Sequence, residues 1–213
     1  MDAPPSRRGR FIALDGIDGA GKSSQIAALV AWLQAGGRGV VTCRDPGSTP
    51  AGDAIRAILL DRHDLHVAPT AEMLLYMAAR AQLVAEVVRP ALDRGDWVVS
   101  DRYLLANVVY QGHAGGLDPE VIRRVGAVAT GGLMPDLVVV LDVDLETAAA
   151  RLVRPLDKLE NRGDEYRRRL REGFLAEAGR ADGAIAVVDA RGDIATVAGR
   201  IRAAVAARFP EAG

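Results

Sequence analysis

The sequence predicts an α/β fold in which a five-stranded parallel sheet is flanked by helices on both faces. Short β-branched runs alternate with longer segments of helical spacing, as they do when helices return the chain to the same sheet edge. The short runs are uniformly apolar, which is typical of strands covered on both sides. A glycine-rich phosphate-binding motif also follows the first run and opens a helix, which is its usual context.

The elements follow in chain order. The predicted strands are Phe11–Leu14, Val40–Cys43, Trp97–Ser100, Leu137–Val143 and Ala184–Val188. The predicted helices, chosen for their spacing or composition, are Ser23–Gln34, Ala51–Leu60, Ala71–Asp93, Pro119–Thr130, Leu145–Arg154, Glu165–Gly179 and Ile194–Arg208. Parallel strands present their carboxyl ends at one sheet edge, so we expect a ligand site there.

Length and local composition predict one domain with two short appendages. A chain of 213 residues is close to the size of a single domain. Residues 1–10 carry three arginines and no following apolar segment that a secretion signal needs, so we expect a short disordered leader before a domain at 11–213. Arg, Asp and Glu crowd together at about 151–171, which we interpret as a short Arg-rich mobile lid.

Composition excludes several functional classes. Apolar residues make up 49% and charged residues 26%, which argues against disorder. The net charge of −1 gives no overall positive field, so we expect neither nucleic acid nor a membrane as partner. The apolar run Leu137–Leu141 is far too short to cross a bilayer. Cys43 is the single cysteine, which excludes an intrachain disulfide and is compatible with a reducing compartment.

The segment Gly16–Ser23 matches the phosphate-loop pattern G-x-x-x-x-G-K-[ST]. Glycines let successive N–H groups curl toward phosphate oxygens, and the following helix adds its positive end. Lys22, one of only two lysines, supplies a charge to the β- and γ-phosphates, and the Ser23 hydroxyl is placed for Mg²⁺. The pattern predicts a P-loop NTPase fold. The predicted ATP-binding residues are Gly16, Ile17, Asp18, Gly19, Ala20, Gly21, Lys22, Ser23 and Ser24.

The remaining motifs narrow the class of NTPase. GTPases need an Asn-Lys-x-Asp element to read the base, and neither Lys22 nor Lys158 lies in one. The short chain and basic lid favour a small-metabolite kinase. Two alternatives stay open: another nucleotide or deoxynucleoside kinase, and a regulatory ATP-binding switch protein. Asp142 ends an apolar strand, as a Walker B carboxylate does, and would favour the switch.

Four segments resemble the thymidylate kinase family in order and approximate spacing, within a likeness that runs from Phe11 to about Phe209. They are Gly16–Ser24, Arg44–Thr49, Asp101–Tyr103 and Val109–Gly112, and Asp157–Glu160 resembles the family's lid signature. The resemblance implies a cytoplasmic, homodimeric enzyme. Its reaction would transfer the γ-phosphoryl group of Mg·ATP to the 5′-phosphate of dTMP, giving dTDP and ADP.

Asp101 and Arg102 follow the third strand, where an acid and a base can serve a metal and a phosphate. The resemblance implies that Arg102 holds the acceptor phosphate and that Asp101 supports Mg²⁺ through water. No catalytic base is needed, because a phosphate monoester with a second pKa near 6 is already ionised. Asp18 occupies a free position of the loop motif, and the resemblance implies that it serves the sugar 3′-hydroxyl or the metal shell.

Tyr76 and Arg80 lie at i and i+4 of one helix, so both side chains emerge on one face. A ring can stack on a base while a guanidinium donates to a carbonyl oxygen such as thymine O4. By resemblance, Tyr76 and Arg80 are the thymine-binding pair and Asn107 reads the N3 and O4 edge. Tyr110 would pack beneath the sugar and exclude a 2′-hydroxyl, with Gln111 as a further pocket residue.

Arginines supply the remaining predicted cations. Arg44, or the weaker candidate Arg56, could reach the acceptor phosphate. The phosphate loop itself offers no cation beyond its lysine at positions where some family members carry an arginine, so we expect Arg151 or Arg154 to act on the transferring phosphoryl group. Lys158 stands where the family's lid typically has Arg.

Overall fold

The computed structural model describes residues 8–152, 163–181 and 183–212. Five strands form one fully parallel sheet in the order β2-β3-β1-β4-β5. The strands are β1 (Phe11–Asp15), β2 (Val40–Arg44), β3 (Trp97–Asp101), β4 (Leu137–Asp142) and β5 (Ile185–Asp189). Every predicted strand is therefore present, with its ends shifted by one residue or less.

Helices connect the strands and flank the sheet. They are α1 (Lys22–Ala35), α2 (Pro50–Arg56), α3 (Pro69–Leu83), α4 (Arg89–Asp93), α5 (Leu104–Asn107), α6 (Pro119–Thr130), α7 (Leu145–Arg151), α8 (Asp164–Arg180) and α9 (Ile194–Arg208). Wider π-helical turns extend α2 over Ala57–Asp61, join α3 to α4 over Val84–Val88 and extend α5 over Val108–His113. A short 3₁₀ turn, Pro210–Ala212, ends the described chain. None of the helices in the described ranges is long and apolar enough to cross a membrane.

The sheet core is apolar on both faces, as the uniform strand sequences predicted. Helices α1 and α9 pack on each other and on the sheet, while α4 covers β3 and α8 covers β4 and β5. The central strand β1 is completely buried. Phe11 on this strand makes an edge-to-face contact with Tyr103 at a ring-centroid distance of 4.9 Å. Such burial on both faces stabilises the parallel sheet that positions the loops at its carboxyl edge.

The strand register brings polar strand ends together. Asp101, the last residue of β3, lies opposite Arg44 of β2 and Leu14 of β1. The Asp45 amide donates to the Asp101 carbonyl (2.9 Å), and the Arg102 amide donates to the Leu14 carbonyl (2.9 Å). Segments distant in sequence thus meet at one edge, where open α/β sheets bind ligands.

Two features depart from the sequence-based expectations, and a third expectation lies mostly outside the described residues. The helix α5 with its π-helical extension was not predicted, although it carries Asn107, Tyr110 and Gln111. Gly9, assigned to the leader, is buried and its amide donates to the Leu92 carbonyl (3.0 Å). Most of the predicted lid, including Arg154, lies outside the described residues.

Candidate active site

A cavity of about 1240 Å³ opens at the carboxyl edge of the sheet. Its wall brings together almost all of the site residues predicted from sequence. Those that line it are Asp18, Gly19, Ala20, Gly21, Lys22, Ser23, Ser24, Arg44, Arg56, Tyr76, Arg80, Asp101, Arg102, Asn107, Tyr110, Gln111 and Arg151. The predicted phosphate loop thus faces the predicted base-binding residues across one space. Gly16 and Ile17 do not line it and act through their backbone carbonyls, as described below.

The glycines of the phosphate loop are required by its geometry. Gly16, Gly19 and Gly21 have φ values of 132°, 84° and 94°, which side chains rarely adopt. A Cβ on Gly19 would lie 2.1 Å from the Ala148 carbonyl oxygen. The loop therefore curls tightly under α7, with no room for a side chain at Gly19.

Helix α1 begins at Lys22, so its unpaired N–H groups face the cavity. Its first turn carries no acidic residue, which leaves its positive end available to an anion. The Lys22 ammonium donates to the Gly16 and Ile17 carbonyls (3.1 Å each) and lies 3.6 Å from Asp18 Oδ1. Burial and the Arg102 charge lower the pKa of Lys22. This is a site in which one more negative group, such as a polyphosphate, is electrostatically favoured.

Arg102 is held by a ring of acceptors opposite the loop. Its φ of 67° is unusual for a residue with a side chain and turns the guanidinium back over β1. Nη1 donates to Asp15 Oδ1 and to the Gly16 carbonyl (3.0 Å each), and Nη2 donates to Asp18 Oδ1 (2.6 Å) and Tyr110 Oη (2.9 Å). Arg102 is therefore a pre-positioned cation on the cavity wall.

Asp18 and Tyr110 complete this cluster. The Tyr110 hydroxyl donates to Asp18 Oδ2 (2.8 Å), and the Arg102 guanidinium lies 4.8 Å from the Tyr110 ring centre. Although burial raises the pKa of Asp18, the charges of Arg102 and Lys22 hold it well below its ordinary value. Burial raises the pKa of Tyr110. Asp18 is thus a fixed carboxylate and Tyr110 a neutral phenol at neutral pH.

Asp15 belongs to the cluster and was not found by sequence reasoning. It ends β1 with no solvent exposure, and its Oδ2 has no hydrogen-bond partner in the described part of the chain. Burial raises its pKa to about 6, while the nearby Arg102 and Lys22 charges act in the opposite direction. The signal that could have identified it is an acid at the carboxyl end of an otherwise apolar strand.

The raised pKa of Asp15 predicts a pH-dependent stability. Because the folded value of about 6 exceeds the ordinary 3.8, the folded protein binds this proton more tightly than the unfolded chain. The free energy of unfolding should therefore fall, relative to that of Asp15→Asn, as the pH rises from 4 to 7, by about 2 kcal/mol. Denaturant titrations of both proteins across this range would measure it. A difference that does not change with pH would contradict the assignment.

The opposite wall carries the predicted base-binding residues. The Arg80 side chain is 1% exposed; it donates through Nε to Asp45 Oδ2 and through Nη2 to the Tyr103 carbonyl (3.3 Å). Within the described part of the chain, Arg80 makes three bonds, the third from Nη1 to Met77 Sδ (3.1 Å), and they use three of the five N–H groups of a guanidinium. Tyr76, one turn earlier on α3, lines the same space. The pairing that their spacing predicted is present.

Asn107 and Gln111 lie one helical turn apart, on α5 and its π-helical extension, which the sequence did not predict. Asn107 Nδ2 donates to Gln111 Oε1 (2.6 Å), and Gln111 Nε2 donates to Glu72 Oε1 (2.9 Å). Glu72 was not predicted as a site residue, although it lies at i−4 from Tyr76 on the same helix. These side chains form a buried polar chain that runs from Asn107 and Gln111 in the cavity wall to Glu72 behind it.

The outer arginines have partners within the protein. Arg44 pairs with Asp53 (3.0 Å), and Arg56 donates to the Pro46 carbonyl (3.0 Å). Arg151 donates to the carbonyls of Ala190 (3.0 Å) and Gly192 (3.1 Å), in the loop that follows β5. This loop also lines the cavity and was not predicted as part of the site. Arg154 and Lys158 lie outside the described residues.

The acidic residues at the strand ends differ in their availability to a metal. Asp142 makes a bidentate ion pair with Arg171, at 2.6 and 2.9 Å. Asp101 lines the cavity, and its buried Oδ1 has no partner among the residues that the structure describes. Ser23 offers an exposed hydroxyl in the same cavity. Asp101 and Ser23 therefore present the hard oxygen ligands that Mg²⁺ prefers, whereas Asp142 is already neutralised.

Known proteins resemble this chain in sequence and in fold. A family model described as thymidylate kinase matches residues 14–201. A thymidylate kinase of Leifsonia xyli is 46% identical over 205 residues, covering 95% of this chain and 97% of the relative. One of Rhodopirellula baltica is 45% identical over 195 residues, covering 92% and 79%. The crystal structure of thymidylate kinase from Ehrlichia chaffeensis shares the fold, with a TM-score of 0.76, 24% identity and coverage of 93% and 99%.

Proposed function

Because this chain belongs to the thymidylate kinase family, we propose that its cavity holds ATP on the phosphate loop and dTMP on the opposite wall. Family membership makes it a nucleoside monophosphate kinase that transfers the γ-phosphoryl group of ATP to dTMP, giving dTDP and ADP. One observation carries the assignment of the two sites. Lys22 and Arg102 line the same cavity as Tyr76 and Arg80. Each end of the cavity then matches one substrate.

The roles of the residues follow from charge and geometry. An oxygen of the dTMP phosphate attacks the γ-phosphorus of ATP, and the bond from that phosphorus to the β-bridging oxygen breaks. The attacking phosphate is already ionised, so alignment and charge neutralisation carry catalysis. Lys22 and the α1 N-terminus bind the donor phosphates, and Arg102 binds the acceptor phosphate. We assign the additional cation on the transferring group to Arg151 or Arg154, and a supporting phosphate contact to Arg44.

Mg²⁺ fits the residues present. Asp101, through water, and the Ser23 hydroxyl would hold the ion, with its other ligands coming from phosphate and water. Within the described residues there is no cluster of three acidic, histidine or cysteine side chains that could enclose a metal alone. When bound, the ion neutralises charge on the β- and γ-phosphates.

Asp18 and Tyr110 lie between the two proposed substrate positions. There, we propose, Asp18 accepts a hydrogen bond from the sugar 3′-hydroxyl and Tyr110 packs beneath the sugar.

Replacing Arg80 should weaken the binding of dTMP selectively. Its unused N–H groups suit thymine O4, so Arg80→Ala should raise the KM for dTMP by more than about tenfold and the KM for ATP by less than about threefold. Removing Arg80 leaves Asp45 buried and unpaired, which is destabilising. The double variant Asp45→Asn/Arg80→Ala also removes the buried charge of Asp45. It is the control that should stay folded while it lacks Arg80. Equal losses for both nucleotides would place Arg80 outside the base site.

We further propose a homodimer, as the family resemblance implies, in the cytoplasm. Support for the dimer comes from apolar side chains on the adjacent helices α3 and α6: Leu74 is 48%, Val121 38% and Val128 83% exposed. Water-exposed apolar groups on neighbouring helices favour burial against a second copy. Light scattering on the purified chain would test this, since a monomer at micromolar concentration would contradict it.

A coupled ADP-release assay across a panel of acceptors tests the function. We expect ATP turnover to require an acceptor, and dTMP to be preferred over dCMP, dGMP and thymidine. ATP hydrolysis that proceeds equally well without an acceptor would instead favour a nucleotide-dependent switch. A preference for thymidine would favour a deoxynucleoside kinase. The pairing of Asp142 with Arg171 already weighs against the switch, because it occupies the carboxylate that such a protein would give to its metal.

A further inference from the structure

We propose that Glu72, which does not line the cavity, sets which atom of Asn107 faces the base and thereby makes the site selective for a pyrimidine with an N3–H group. Glu72 is a positioning residue that acts through Gln111. The inference rests on the proposed location of the base and extends it to the origin of selectivity.

The chain of hydrogen bonds has only one satisfactory direction. As a carboxylate, Glu72 offers acceptors and no donor, so Gln111 must turn its Nε2 toward it. Gln111 Oε1 then faces Asn107, which must donate from Nδ2. Asn107 is left with Oδ1, a buried oxygen that has no partner in the described part of the chain. The carboxylate thus fixes the orientation of two amides in series.

Burial makes the reversed orientation of the two amides unfavourable. Asn107 is 2%, Gln111 3% and Glu72 7% exposed, so water cannot readily replace a mismatched partner. If Gln111 turned over, its oxygen would face a Glu72 oxygen at hydrogen-bond distance, and two acceptors would then meet with no donor between them. Reversal is therefore costly while position 72 carries a carboxylate.

The atom presented by Asn107 decides which base is accepted. Thymine and uracil carry a donor at N3, which matches Asn107 Oδ1. Cytosine has an acceptor at N3 and would face an acceptor. Tyr76 and Arg80 lie one and two turns beyond Glu72 on the same helix, so α3 carries both the direct base contacts and the group that orients Asn107.

The variant Glu72→Gln tests this directly, because it keeps the shape of the side chain and adds a donor. Either orientation of the relay can now be satisfied, so the Kd for dCMP should tighten about tenfold, the value of one hydrogen bond. The Kd for dTMP should change by less than about threefold. The ratio of dTMP to dUMP affinities should stay constant, because both bases carry N3–H. Titration calorimetry with the three nucleotides gives all of these values.

The double variant Glu72→Gln/Gln111→Glu provides the rescue. A carboxylate at position 111 accepts from the new amide at position 72 and from Asn107 Nδ2, so Asn107 Oδ1 is again presented and dCMP should again be rejected. The control Glu86→Gln makes the same chemical change at an exposed position on the π-helical turn between α3 and α4, outside the cavity wall. It should leave every affinity unchanged. If Glu72→Gln does not fold, Glu72→Met also frees Gln111 to turn and predicts the same gain for dCMP.

The outcomes separate this inference from the proposed function. Wild-type protein that does not phosphorylate dTMP contradicts the function. Wild-type protein that is active, together with a Glu72→Gln variant that keeps its discrimination against dCMP, overturns the role of Glu72 alone. An equal weakening of all three nucleotides, unchanged in the double variant, would also overturn it and leave Glu72 a merely structural residue.

Discussion

Lys22→Ala should abolish turnover while the protein remains folded. The Lys22 ammonium lies at the end of the phosphate loop, in the wall of the cavity. We assign it to the β- and γ-phosphates. Removing a charge that acts on the transferring group should lower kcat by at least about 10³-fold, the lower end of what a cation on the transferring phosphoryl group contributes in other active sites. Steady-state kinetics with saturating dTMP and ATP would measure the loss.

Stability distinguishes this effect from unfolding. Burial lowers the pKa of Lys22, so its charge is a cost to the folded state that alanine removes. The thermal midpoint should stay within a few degrees of the wild type or rise. Arg94→Ala, which removes an exposed cation outside the cavity wall, is the matched control and should retain full activity. Near-wild-type turnover in Lys22→Ala would contradict the role of the phosphate loop.

Arg102→Lys should lower kcat/KM for dTMP by about 100-fold and leave the affinity for ATP within about threefold. The guanidinium donates hydrogen bonds to Asp15, Asp18 and Tyr110 at the same time and also lines the cavity. A single ammonium cannot reproduce all of these contacts. Lysine retains the charge, so Asp15 and Asp18 are not left without a cation, as they would be with alanine.

The measurement combines initial rates over a dTMP series with a binding titration of ADP. Arg123→Lys is the control, since Arg123 also makes two close bonds to a carboxylate, Glu177, but lies outside the cavity wall. A parallel loss of dTMP and ADP binding would show that Arg102 supports the whole site rather than the acceptor phosphate.

Local patterns predicted the elements whose sequences carry a period or a motif. The strands were uniformly apolar because helices cover both sheet faces, and the phosphate loop was identified because its glycines are required by positive φ angles. Helix α9 begins and ends at the predicted residues, Ile194 and Arg208. The segment Leu104–Gly112 was missed for a physical reason: all of its residues are buried, so no solvent-exposed polar face gives its sequence an amphipathic period.

Residues whose role depends on a tertiary contact were also missed. Asp15 meets Arg102 across 87 positions of sequence, and Glu72 meets Gln111 across 39. Without these contacts, Asp15 is one more acid at a strand end and Glu72 one more residue of a helix. The spacing of Glu72, Tyr76 and Arg80 at intervals of four was a usable signal, because it places all three on one face of α3.

The location of the two nucleotides is tested most directly by a crystal structure of the protein with ADP and dTMP bound. We expect the ADP phosphates on the backbone amides of the loop around Lys22, the dTMP phosphate on Arg102, and the thymine ring beside Tyr76 with N3 on Asn107 Oδ1. A dTMP molecule bound outside this cavity, or bound in it with its phosphate away from Arg102, would contradict the account.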